Sequence, residues 1–127
     1  MIILRNFEEF IYSLLRAVSG FLFLQHGIQK IFGGLDGKIA TFGSIYWFAG
    51  MIELVGGILI LVGLFTAIAA FISSGTMAVA YFGWHAHKNF WPILNNGELS
   101  ALYAFVFLYL AARGDGKFSL MRFIKKT

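Results

Sequence analysis

Apolar positions gather along this chain in four long blocks, at about residues 10–28, 45–65, 67–87 and 98–112. Each block predicts a helix, and a membrane crossing takes about 20 mostly apolar residues. The fourth block is short for a full crossing. The first carries a pattern of its own. At about 100° per residue, Arg16, Gly20, Phe23, Gly27 and Lys30 share one narrow face. Ser19 and His26 flank that face, and Gln25 points the other way. A water-soluble helix shows one apolar stripe on a wide polar surface. Here a thin stripe of polar and small residues runs up an apolar helix. That contrast predicts a membrane helix whose few polar groups turn toward partner helices.

The connections are short and differ in kind. Residues 31–44 contain GGLDGK, whose glycines and Asp36 are turn formers. No strand precedes it and its glycine spacing matches neither common phosphate-binding loop, so nucleotide binding is not expected there. Gly63-Leu64-Phe65-Thr66 carries no charge and predicts a tight turn at the membrane surface. His85 to Asn89 ends the third helix, Phe90, Trp91 and Pro92 suit an interfacial loop, and Asn95-Asn96-Gly97-Glu98 reads as a turn into the fourth. Arg113 to Lys117 closes that helix, and residues 118–126 are expected along the cytoplasmic surface. A cleaved signal peptide fits the N-terminus poorly. Glu8 and Glu9 replace a basic lead, and Arg16 sits inside the apolar region.

Composition sharpens the class. Of 127 residues, 59% are hydrophobic and 13% charged, with a mean hydropathy of +0.78. Soluble domains are roughly 25% charged. The expectation is one integral membrane unit, an all-α four-helix bundle spanning residues 1–127. There is no cysteine, which excludes thiol–disulfide chemistry and cysteine-ligated iron–sulfur or zinc sites. The formal charge of +4 lies mostly in the C-terminal tail and does not suggest nucleic acid. Arg5, Arg113, Lys117, Arg122, Lys125 and Lys126 sit toward the two ends, against Lys30, Lys38 and Lys88 in the opposite connections. That bias predicts both termini in the cytoplasm.

This topology gathers the polar residues. His26, Lys30, His85, Asn96 and Glu98 come near the outer face, Glu53 lies roughly 12 Å below, and Arg16 lies deeper. These seven form the candidate intramembrane site. A carboxylate at the depth of Glu53 needs a partner, and Arg16 and His26 are the candidates. Two readings stay open: a functional centre, or an ion pair that fixes one helix against another. The three histidines do not suggest a metal or haem. His85 and His87 point about 160° apart on a helix, and no HExxH pattern exists. A quinone site needs less, namely one donor beside aromatic and Met surface, such as Met77, Tyr81, Phe82, Trp84 and Trp91.

Several motifs, in order along nearly the whole chain, resemble the DoxX family. They are Arg16-x3-Gly20-x2-Phe23-x2-His26-Gly27-x2-Lys30, Glu53-x2-Gly56-Gly57 with Gly63-Leu64-Phe65-Thr66, Asn96-Gly97-Glu98, and Gly114-x-Gly116-x-Phe118-Ser119-Leu120. The family pattern commonly closes with Ser-Leu-Asp, where this chain has Met121. The resemblance implies a small multi-pass protein of the bacterial inner membrane. Some DoxX-type proteins are subunits of a thiosulfate:quinone oxidoreductase, and others are linked to membrane redox or detoxification complexes. The function expected is an accessory or quinone-interacting subunit of a membrane oxidoreductase system. The alternative is a non-catalytic binding or assembly protein with a structural polar core. Quinone is the one cofactor to consider. The expected partners are the lipid bilayer and other subunits, with self-association left open and nucleic acid excluded.

Overall fold

The computed structural model describes residues 1–126, and the described residues are helical or irregular, with no strand. Seven α-helices occur in order: α1 (Ile2–Arg5), α2 (Glu8–Phe32), α3 (Ile45–Val62), α4 (Thr66–Ala80), α5 (Pro92–Asn95), α6 (Glu98–Arg113) and α7 (Leu120–Lys125). A π-helical turn, Tyr81–His85, prolongs α4. The four long helices α2, α3, α4 and α6 pack side by side in that circular order, each antiparallel to its neighbours.

α2 runs four residues past the end expected at residue 28. Apolarity fades there, but Gln25, Gln29 and Lys30 are good helix formers. The helix stops at Gly33, whose φ of +71° is the left-handed conformation of a C-cap. The extra turn carries Lys30 alongside α3.

Small residues set the spacing of α2 and α3. A Cβ on Gly57 would stand 2.8 Å from the Leu24 backbone, and one on Gly20 would stand 2.5 Å from the Leu61 nitrogen. The thin stripe read from the sequence is therefore the buried face: Arg16, Ser19, Gly20, Phe23 and Gly27 are all buried. α3 meets α4 where Gly56 lies against Ser73. Ser73 Oγ donates to the carbonyl of Ala69 four residues back, and Ser74 Oγ crosses to the carbonyl of Ala104 on α6. In the centre, Phe23 contacts Phe107 edge-on at 4.7 Å between centroids, and Tyr103 stacks on Phe107 at 5.2 Å.

The outside is greasier than this inside. Phe48, Val55 and Ile58 on α3, Ile68, Phe71 and Val79 on α4, and Leu102, Phe105 and Leu108 on α6 are exposed. Buried groups include Ser13, Arg16, Ser19, Glu53, Thr66, Ser73 and Asn95. An exposed apolar surface of this extent is unusual for a monomer in water. Two helical stretches are long and apolar enough to cross a membrane: Ile45–Val62, with mean hydropathy 2.1, and Thr66–His85, with mean hydropathy 1.4. Four were expected. α2 carries too many polar residues to join them, and α6 has only 16 residues.

Candidate functional site

The chain folds so that its polar residues collect at opposite ends of the helix array. One end holds the chain termini and the α3–α4 turn. Gly63 (φ +75°) and Phe65 (φ +51°) make that turn, and both are left-handed. Phe65 supplies no side-chain cap to α4. Asp115 does so from 49 positions away, its Oδ1 accepting from the Thr66 N–H at 2.9 Å. A carboxylate at a helix N-terminus meets both an orphan donor and the positive end of the helix dipole.

Arg16 belongs to this end, not to the candidate site, and it does not pair with Glu53. It is 4% exposed. Its Nε donates to the carbonyl of Ile60, Nη1 to that of Asp115 at 2.6 Å, and Nη2 to that of Phe118. The guanidinium fork is thus spent on three backbone oxygens. Tyr12 Oη donates to the carbonyl of Gly114 at 2.6 Å, and the Met121 N–H to the carbonyl of Gly63. Together these bonds clasp the C-terminal segment 114–121 over α2, α3 and α4. The backbone N–H of Met121 serves the clasp whatever its side chain, so the departure from Ser-Leu-Asp leaves it intact.

At the other end the array opens into a cavity of about 810 Å³, within the size range of small-molecule sites. His26 and Lys30 of α2, Glu53 of α3, His85 of the π turn and Asn96 before α6 line it. Five of the seven sequence-derived residues therefore come together. Glu98 does not line the cavity and sits exposed in the first turn of α6. Most of the remaining wall is apolar or aromatic, including Tyr46, Phe48, Met77, Trp84 and Tyr103.

The partner of Glu53 is Lys30. Lys30 Nζ donates to Glu53 Oε1 at 2.7 Å, and neither expected partner, Arg16 or His26, takes that place. The glutamate side chain is 3% exposed and the lysine 30%. Glu53 Oε2 is buried and has no hydrogen-bond partner among the described residues. Leaving a buried acceptor unmet costs about 1–3 kcal/mol, more when it is charged.

Above the pair, Trp84 Nε1 donates to Tyr46 Oη at 2.6 Å, joining the π turn to the start of α3. A π turn inserts an extra residue into a helix and often marks a functional place. Here it turns His85 toward the following loop, where Nδ1 meets the Asn95 carbonyl at 3.0 Å. Asn95 is fully buried and lies outside the candidate set, which takes Asn96 from the same turn. Its Nδ2 donates to Tyr81 Oη and to the Asn89 carbonyl, and its Oδ1 accepts from the Gly97 N–H at 2.8 Å. The signal was Pro92 opening a one-turn helix that ends at a left-handed Asn96, φ +60°. In this turn the residue before the cap, Asn95, is the buried one. Among the described residues, no three His, Asp or Glu side chains are grouped to hold a metal ion.

The fold and site define an all-helical protein of membrane character with an exposed apolar exterior and an ion pair at the edge of a largely apolar cavity. The chain belongs to the DoxX family, whose model matches residues 11–86. It is 40% identical to an uncharacterised protein of Haemophilus influenzae, over 97% of this chain and 98% of that one. It is 33% identical to "Putative oxidoreductase CatD" of Bacillus subtilis, over 89% of this chain and 86% of that protein. No solved structure matches it significantly.

Proposed function

We propose that this chain is a quinone-interacting accessory subunit of an oxidoreductase system in the bacterial inner membrane. In this reading α2, α3, α4 and α6 all cross the bilayer, both termini are cytoplasmic, and the cavity lies toward the outer face. The observation that carries the reading is the cavity itself. It joins an apolar, aromatic wall to Lys30 and Glu53, and both kinds of surface suit a flat ring with oxygen at its edge. The family and the oxidoreductase name of the Bacillus subtilis relative support the redox setting. With no cysteine in the chain, electron-transfer groups bound through thiolates would reside on a partner subunit.

A second reading has its own observation. The Lys30–Glu53 pair ties α2 to α3, so it can serve as a purely structural bond in an assembly protein. Purification from native membranes in mild detergent separates the two. The quinone-linked reading expects co-purified quinone near one per chain, lost when Gly75→Leu fills the cavity wall, together with a redox partner. A parent protein that carries no quinone and takes up none on reconstitution would leave the assembly reading.

A further inference from the structure

We propose that the cavity admits its ligand sideways from the hydrocarbon region and holds it by a ring hydroxyl, so that it selects a hydroquinone over the corresponding quinone. This rests on the quinone-linked reading and adds the route of entry and the form bound.

The route follows from where α3 and α4 touch. About two turns from their shared turn they meet at Gly56 and Ser73. At their far ends they meet again through Tyr46 and Trp84, whose rings lie 5.5 Å apart. Between these two contacts, Phe48 and Ile52 of α3 and Gly75 and Val79 of α4 line the cavity. Phe48 is 56% exposed and Val79 58%. A Cβ built on Gly75 would meet nothing within 4 Å. The wall between α3 and α4 therefore has a window with an apolar rim, in the cavity-end half of the two most apolar helices. The Trp84–Tyr46 hydrogen bond spans the gap above it. A molecule dissolved in lipid reaches this window without crossing an aqueous surface.

The form bound follows from which partner is wanting. Lys30 has further N–H donors, but its side chain is partly exposed and they can meet water. Glu53 Oε2 is buried and lacks a donor among the described residues. The site's unmet demand is for a hydrogen-bond donor. A quinone carbonyl only accepts; a hydroquinone hydroxyl donates, and a bond to a carboxylate is stronger than a neutral one.

The test uses the protein in nanodiscs of phosphatidylethanolamine and phosphatidylglycerol, with Trp47→Phe and Trp91→Phe so that Trp84 is the single tryptophan. Three probes are titrated against Trp84 emission: decyl-benzohydroquinone kept reduced without oxygen, its benzoquinone, and its dimethyl ether. The hydroquinone should bind on the order of tenfold tighter than either other probe. Glu53→Gln should shrink that preference, and Gly75→Leu, which narrows the rim, should slow the association of all three probes alike. Equal binding of hydroquinone and ether, or a preference for the quinone, overturns the hydroxyl assignment and leaves a quinone site standing. Unchanged association rates in Gly75→Leu overturn the lateral window. Failure of all three probes to bind overturns the quinone-linked reading with it. The comparison among probes on unaltered Glu53 decides even if Glu53→Gln does not fold.

Discussion

Lys30 and Glu53 are unequal partners, and the inequality is measurable. Glu53 is shut away from water while Lys30 keeps part of its side chain in reach of it. Lys30→Met strands a buried carboxylate, whereas Glu53→Gln leaves an ammonium that can hydrate. Thermal unfolding in detergent should show Lys30→Met as the costlier change, by about 2–3 kcal/mol, a value lowered from that of a wholly buried pair. The double variant should be milder than the sum of the two. Arg16→Gln should add independently to Glu53→Gln, because Arg16 serves Ile60, Asp115 and Phe118 instead. Coupling of Arg16 to Glu53 in such a cycle would contradict the register described. That Glu53 needs a partner was legible in the sequence, since a carboxylate amid Leu, Val and Ile demands one. Its partner was not. Residues 33–44 between α2 and α3 form a long irregular connection that fixes no register. The register comes from glycine contacts, and it brings Lys30, not Arg16, level with Glu53.

Among the helices, glycine does two opposite things, and position decides which. Gly57 lets α2 and α3 touch, with the Leu24 backbone 2.8 Å from where its Cβ would lie. Gly75 faces open space on α4. Gly57→Ala should destabilise, because backbone cannot move aside. Gly75→Ala should be neutral or stabilising by up to about 0.5–1 kcal/mol, the usual gain of alanine over glycine inside a helix. Parallel melts of the two proteins test this, and a Gly57→Ala protein that melts no lower than the parent would mean that the α2–α3 contact is looser than described. The helices themselves were legible as apolar blocks, and so was the tight turn at 63–66. The long reach of Asp115 to the start of α4 was not, because nothing local marks a cap supplied from 49 residues away. The RGDGK segment reads as a plain turn until its neighbours are known.

At the scale of the whole molecule, the question is how many helices cross. Among the described residues, length and hydropathy single out only α3 and α4 with its π turn. A lone α3–α4 hairpin would leave Leu14, Leu15, Val18, Phe21 and Leu22 of α2, and Leu102, Phe105 and Leu108 of α6, exposed to water. Four crossings put these side chains in lipid and spread the polar residues of α2 along a buried face. α6 would then span roughly 24 Å, short of a typical hydrocarbon core of about 30 Å, which a locally thinner bilayer accommodates. In that arrangement the charge bias predicts the direction. Lys30 is neutralised by Glu53, which leaves Lys38 and Lys88 at the cavity end against Arg5, Lys117, Arg122, Lys125 and Lys126 at the other. The clasp of segment 114–121 onto Arg16 and Gly63 holds the two chain ends on one side. A periplasm-active reporter fused after Lys38 should therefore be active, and the same reporter at the C-terminus silent. The two models separate cleanly here, because a two-crossing hairpin places both fusion points on one side. Matching signals from the two fusions would remove α2 and α6 from the membrane, and the lateral window with them.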